Sequence, residues 1–220
     1  MNNIKSILRL AISIALAFTF SCSSGDENGG GGNDIANYKT KQIGNQNWMV
    51  ENLNYNVSGS KCYDNKESNC EKYGRLYTWA TAMGIDAKYN EEKWGGNGVK
   101  HRGICPSGWH IPSDEDWKEL VGFVGGTSTA GTKLKSKSEW KPYSGIPSGT
   151  DEFGFSALPG GLGLSSGSFF DLVGKYGSWW STYEDDIYIA KNWDMSNDEE
   201  NIDTGYGNKD RMFSVRCLKD

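Results

Sequence analysis

Four cysteines, Cys62, Cys70, Cys105 and Cys217, span the chain from its first third almost to its last residue. Bridges among them restrict the chain to folds that bring distant segments together. Whether they pair is a question of compartment. Residues 1–10 carry Lys5 and Arg9 and no acid, residues 10–20 read LAISIALAFTF, and Ser21 follows. A charged start, a short apolar run and a small residue before the cut make residues 1–21 a signal peptide. The run is shorter than the roughly 20 residues that span a bilayer comfortably. An exported chain meets an oxidising environment, where an even number of cysteines points to disulfides. Cys62 and Cys70 flank YDNKESN, a short polar stretch of turn formers. They are therefore expected to pair with each other, leaving Cys105 to Cys217. Zinc is the competing use of cysteine, but the chain has no Cys-x-x-Cys and only two histidines, a poor ligand supply.

The fifth cysteine, Cys22, directly follows the small residue Ser21. That junction resembles a bacterial lipobox, although Thr19 and Phe20 stand where Leu and Ala or Ser are usual. The resemblance implies cleavage before Cys22 and its diacylation; a plain secreted chain is the alternative. Residues 22–37 then read CSSGDENGGGGNDIAN, a composition that buries no apolar surface and serves as a flexible tether. Asp26 and Glu27 resemble the acidic export signal of surface lipoproteins in the Bacteroidetes, or are ordinary linker charge. The expectation is an outer-membrane lipoprotein, exposed at the cell surface and attached to the membrane through the lipid on Cys22.

Residues 38–220 are one domain's worth of chain, long enough for a sizeable core. The protein has 9 Trp, 11 Tyr and 29 Gly, so aromatics packed among turns, not long amphipathic helices, must supply that core. Its net charge is −5 with no basic run, which excludes the electrostatic footprint of a nucleic-acid binder.

QIGNQNWMVENL (42–53) predicts a hairpin about Gly44-Asn45. Leu76, Trp79, Ala80 and Met83 lie at helical spacing and predict a helix over 74–83, with Gly84 as its stop. In CPSGWHIPSDEDWKEL (105–120) a cysteine, a histidine and three acids crowd together. Ser113 as N-cap with Asp116 three residues on forms a capping box, and Asp114, Glu115 and Asp116 suit the positive end of a helix. Trp117, Leu120, Val121 and Val124 continue it as one apolar stripe, closed by Gly125-Gly126. The stretch is a stapled turn entering a capped helix, and His110 reads as a satisfied core or turn residue. A short second helix is expected over 130–136. Residues 140–170 lose all periodicity, and a long irregular segment inside a domain is usually functional or disordered. Residues 176–183 and 186–193 read as strands. Residues 212–218 close the chain as a strand with Phe213, Val215 and Cys217 on one face.

Taken in order, NWMVENLNY (47–55), YGRLYTWATAM (73–83), CPSGWHIPSDEDW (105–117), DEFGFSALPGG (151–161), WWSTYE (179–184) and FSVRCLKD (213–220) resemble the Fibrobacter succinogenes major paralogous domain of Bacteroidetes and Fibrobacteres lipoproteins. The resemblance covers nearly all of 38–220. It implies an α+β architecture, a single compact C-type-lectin-like domain similar also to the formylglycine-generating-enzyme fold. Short strands, two to three short helices and long irregular loops are expected. First and last strands pair, and 140–170 with 183–206 forms the ligand surface. No activity is generally established for the family.

The expected function is a non-catalytic surface binding module for glycan. Aromatic faces stack on sugar rings while amides and carboxylates bond hydroxyls, and Tyr188, Asn192, Trp193, Asp194 and Tyr206 are the candidates. Trp48, Trp79, Trp109, Trp117, Trp179 and Trp180 are assigned to the core. No cofactor is required. Calcium is the natural ion to weigh for a lectin-like fold, with Asp185, Asp186, Asp194 and Asp198 as oxygen donors, yet the sugar–calcium motifs of animal lectins are absent. The alternatives are an adhesion or assembly subunit with a cell-envelope protein partner, and a cysteine-dependent oxidase using Cys105.

Overall fold

The computed structural model describes residues 38–97 and 99–220. The expected signal peptide, the tether and Cys22 lie outside those residues. β1 (Thr40–Ile43) and β2 (Gln46–Met49) form the expected hairpin, with Ile43 opposite Gln46. Gly44 turns the corner at φ 58°, and a side chain there would press on the Phe123 ring. Both features favour glycine.

Cys62 bonds Cys70, and Cys105 bonds Cys217. Within the first bridge lies a helix, α1 (Glu67–Tyr73), where the sequence suggested only a turn. Its sequence is polar and buries just Cys70 and Tyr73, so no apolar stripe announced it. α2 (Trp79–Met83) is shorter than the helix expected from residue 74. Leu76 bridges Lys61 and Tyr77 bridges Phe213 in extended conformation. The helix begins only where Thr78 accepts the Thr81 N–H, and Gly84 ends it in the left-handed region.

After β3 (Trp109–His110), α3 (Asp114–Phe123) starts with the full capping box: Ser113 accepts the Asp116 N–H, and Asp116 accepts the Ser113 N–H. The His110 ring is buried, with Nδ1 2.8 Å from Asp220 Oδ1 and Nε2 3.6 Å from Asp116 Oδ2. Burial alone would raise the Asp116 carboxyl, but the nearby His110 ring and the bonds from Ser113 outweigh it and hold it below the ordinary carboxylate value. Asp114 behaves alike: burial opposes, yet Lys118 and Lys191 bonded to it win. A depressed carboxyl takes up its proton less readily folded than unfolded. Its stabilisation is thus complete above the unfolded value of about 3.9 and lost as pH falls through the folded one. The urea midpoint is expected to drop on going from pH 6 to pH 3, and to drop less in Asp116→Asn. A midpoint that stays flat to pH 3 would contradict this.

α4 (Thr127–Leu134) begins three residues earlier than expected. From there to residue 170 the chain is irregular except for β4 (Leu162–Leu164), which pairs with β5 (Phe170–Asp171). β6 (Tyr176–Glu184), β7 (Ile189–Ser196) and β8 (Asp203–Asn208) make an antiparallel sheet in that order. β8, DTGYGN, has no apolar alternation and was not anticipated.

The closing segment is broken, not one strand. β9 (Arg211–Met212) pairs with β4; Phe213 and Ser214 bridge Tyr77 and Trp179; β10 (Leu218–Lys219) inserts between β2 and β3. The first and last strands therefore share one sheet. The result is an α+β domain with four α-helices among the described residues, one more than the upper end of the two to three expected. One core cluster gathers Trp48, Trp117, Phe155, Trp179 and Trp193, and a second gathers Trp79, Trp109, Trp180, Phe213 and the Cys105–Cys217 bridge. All six tryptophans assigned to the core are buried.

Candidate functional site

β7 sorts the sequence candidates by alternation. Trp193 points into the core at 2% exposure. It stacks on Trp117 at 6.0 Å and 16° and donates its indole N–H to Asp114 Oδ1 at 3.2 Å. It is not a surface aromatic; the polar residues around it in sequence belong to the opposite face. Asn192 is buried there too, at 3% exposure. Its Nδ2 donates to Ser178 Oγ at 2.9 Å and to Asp194 Oδ1 at 2.6 Å. Gly205 on β8 makes room for this pair, since a Cβ would stand 2.3 Å from Asp194 Oδ2. Asp194 is half-buried, and burial pushes its carboxyl up against the bonds from Ser178, Tyr176 and Asn192. The Asn192 N–H groups are thus taken up within the sheet, while its buried Oδ1 has no hydrogen-bond partner.

Tyr206 and Tyr188 are exposed, at 60% and 54%. Tyr206 lies opposite Lys191 in register. Lys191 Nζ is 5.9 Å from its ring and 5.7 Å from the exposed Tyr183 ring, and pairs with Asp114 Oδ2 at 2.8 Å. Two tyrosines thus flank a lysine whose charge is already partnered.

Tyr188 stands elsewhere, on a cleft of about 470 Å³. Asn90, Glu91, Asp186, Asn208 and Asp210 line it with Tyr188 and Ile189. Three separate segments build it. The first is a 3-10 turn, Ala87–Asn90, fixed to α2 where Asn90 Oδ1 accepts the Ala80 N–H. The second is the β6–β7 turn, where Asp186 Oδ1 accepts the N–H groups of Tyr188 and Ile189 at 2.7 and 2.8 Å. The third is the β8–β9 turn, which carries Asn208 and Asp210. Sequence reasoning singled out Tyr188 and Asp186 but not Asn90, Glu91, Asn208 or Asp210. The one local signal for the last pair was an Asn-Lys-Asp turn between two strand-length segments.

The four candidate calcium ligands do not converge. Asp186 lines the cleft, Asp185 is exposed beside it, Asp194 sits within the sheet opposite Asp203, and Asp198 bonds the Ser196 hydroxyl in the β7–β8 turn. Among the described residues the one trio of such side chains at ligand spacing is Cys62, Glu67 and Cys70. Its two sulfurs are bonded to each other. Cys105 is likewise held in its buried bridge, so a thiolate there requires that bond to open.

Fold and site together define a small, aromatic-rich, disulfide-bonded α+β domain with a cleft lined by an exposed tyrosine, Ile189, amides and carboxylates. Residues 42–219 match the Fibrobacter succinogenes major domain, and the chain belongs to that family. No curated protein and no solved structure matches it.

Proposed function

We propose that the domain is a non-catalytic glycan-binding module whose ligand enters the Tyr188 cleft. One observation carries the reading: an exposed tyrosine ring stands with Ile189 in a cleft of ligand-binding size otherwise walled by amides and carboxylates. The ring offers an apolar face to sugar C–H groups, and Asn208, Glu91, Asp186 and Asp210 offer partners to hydroxyls. The lining holds three carboxylates and no cation, so like-charge repulsion disfavours uronic-acid polymers and the cleft suits neutral sugars. The C-type-lectin-like reading of the fold draws support from first and last strands that share one sheet, although β2 separates them where direct pairing was expected, and from the flanking helices and the long irregular 140–170 segment. In this picture the domain, residues 38–220, is carried on the tether 22–37 by a lipid on Cys22, at the outer membrane and facing outward.

The test is a binding screen of the disulfide-bonded full chain against neutral plant and mucin polysaccharides and against polyuronates, with calcium and with chelator. Saturable binding to a neutral class is expected, weakened at least tenfold by Tyr188→Ala; the Tyr206→Ala variant reads whether the second tyrosine face takes part. Binding that ignores Tyr188→Ala, or none across the panel, sinks the reading and shifts weight to a cell-envelope protein partner. Binding abolished by chelator would instead bring calcium into the site.

A further inference from the structure

We infer that the buried Lys209–Glu184 pair is the positioning device that assembles this cleft. The inference rests on the glycan reading only for the identity of the ligand.

Lys209 lies between two cleft residues, Asn208 and Asp210, yet its side chain turns inward and is fully buried, as is that of Glu184. An ammonium has three N–H donors, and each finds a different segment. Nζ donates to Glu184 Oε1 at 2.6 Å, to the Ile187 carbonyl at 3.1 Å and to the Glu92 carbonyl at 3.3 Å. The Lys209 backbone N–H adds a bond to the Tyr188 carbonyl at 2.8 Å, and its own carbonyl accepts the Trp79 N–H at 2.9 Å. One residue therefore ties together the 3-10 segment, the β6–β7 turn and the β8–β9 turn, which are the three walls.

Glu184 extends the same clasp. Its carboxylate accepts the N–H groups of Trp94 and Gly95 at 2.7 and 2.8 Å. The Asn97 side chain bonds both its backbone N–H and its carbonyl. The irregular stretch after Glu92 is thereby fastened to the end of β6. An apolar pair of the same volume would fill this space equally well, and replacing a buried ion pair by apolar residues is often neutral for stability. What apolar side chains lack is the ability to hold oxygens and N–H groups from several directions at fixed angles. Position, more than stability, is what the charges supply.

That distinction makes the double variant Glu184→Met/Lys209→Met the informative one, since Lys209→Met alone strands a buried carboxylate and destabilises the whole domain. In the full chain, the double variant is expected to keep a cooperative melt close to wild type, because the backbone groups it frees belong to Glu92, Trp94, Gly95 and Ile187, exposed or half-buried residues that water can reach. Amide hydrogen exchange at Trp94 and Gly95 should accelerate at least tenfold, while amides in the paired part of β6 and β7 stay within twofold. Any polysaccharide bound by the wild type should bind at least tenfold more weakly. Exchange at Trp94 and Gly95 within twofold of wild type would overturn the inference. So would an equal acceleration throughout β6 and β7, which would mark a general structural role. If the double variant does not fold, the wild type still decides: Trp94 and Gly95 amides exchanging as fast as an unstructured peptide would mean that Glu184 holds nothing. Because exchange needs no ligand, this test and the glycan screen can fail independently.

Discussion

Arg216→Met is expected to cost the domain at least about 3 kcal/mol. Arg216 is fully buried, and its guanidinium donates to the Asn52 side-chain oxygen at 2.9 Å, to the Ser156 carbonyl at 3.2 Å and to the Phe155 carbonyl. Its planar face lies 4.3 Å from the Phe155 ring centre. No carboxylate pairs with it among the described residues. Burial pulls its pKa down to about 9, which still leaves it charged at neutral pH. Methionine fills much of the volume but leaves the Phe155 and Ser156 carbonyls without this donor, each at a cost of about 1–3 kcal/mol, and removes a charged bond of about 1.5–3 kcal/mol from the Asn52 oxygen, which keeps the Trp179 N–H at 2.8 Å. For a domain of this size each kcal/mol lowers Tm by roughly 2–4 °C, so a fall of at least about 6 °C is expected by thermal or chemical denaturation. Arg216→Lys should recover little, because a point charge does not reproduce the fork. A loss under about 1 kcal/mol would show that these carbonyls find other partners.

The second large effect is expected at Trp193. Trp193→Ala removes the stack on Trp117 and the donor to Asp114, and large aromatic truncations in a core cost about 3–5 kcal/mol. Tyr188→Ala, at an exposed site, should stay within about 0.5 kcal/mol. Urea denaturation of both variants separates them. The comparison also governs how binding data are read: lost binding in Trp193→Ala reports a damaged fold, whereas lost binding in Tyr188→Ala reports a lost contact. A Trp193→Ala chain within about 1 kcal/mol of wild type would contradict the buried position of this ring.

Trp193 also shows where sequence reasoning stopped. The existence of strand β7 was legible, although expected over 186–193 and found at Ile189–Ser196, as were the β1–β2 hairpin, the Ser113–Asp116 capping box and the six tryptophans of the core, because each rests on local periodicity, cap chemistry or composition. Which face of β7 meets water was not legible. Asn192 and Asp194 flank Trp193 and suggested a wet neighbourhood, but the Asn192 N–H groups bond Ser178 and Asp194 inside the sheet. α1 and β8 escaped notice for a related reason: ESNCEKY and DTGYGN carry no apolar rhythm and are held by the disulfide and by pairing with β7. The cleft was half legible. Tyr188 and Asp186 stand in one turn, but the opposite walls come from residues 90 and 208, which only tertiary packing brings near. Lys209 was invisible, since a lysine in a polar turn ordinarily points outward.

The sheet order β1-β2-β10-β3 also decides how the domain answers a pull on its N-terminal end. Tension entering at Tyr38 reaches β1 first, an edge strand hydrogen-bonded on one side only, which peels away bond by bond. The next strand resists differently. β2 and the residues after it are bonded to the closing segment, with the Met49 N–H to the Cys217 carbonyl and the Leu53 N–H to the Val215 carbonyl. Cys217 is in turn joined covalently to Cys105. A tug therefore spends its work on a short sacrificial hairpin and then meets a segment fastened to the closing strand, which a crosslink anchors. The bond between Cys105 and Cys217 thus anchors the strand that a pull on the N-terminal end meets once the first hairpin has opened.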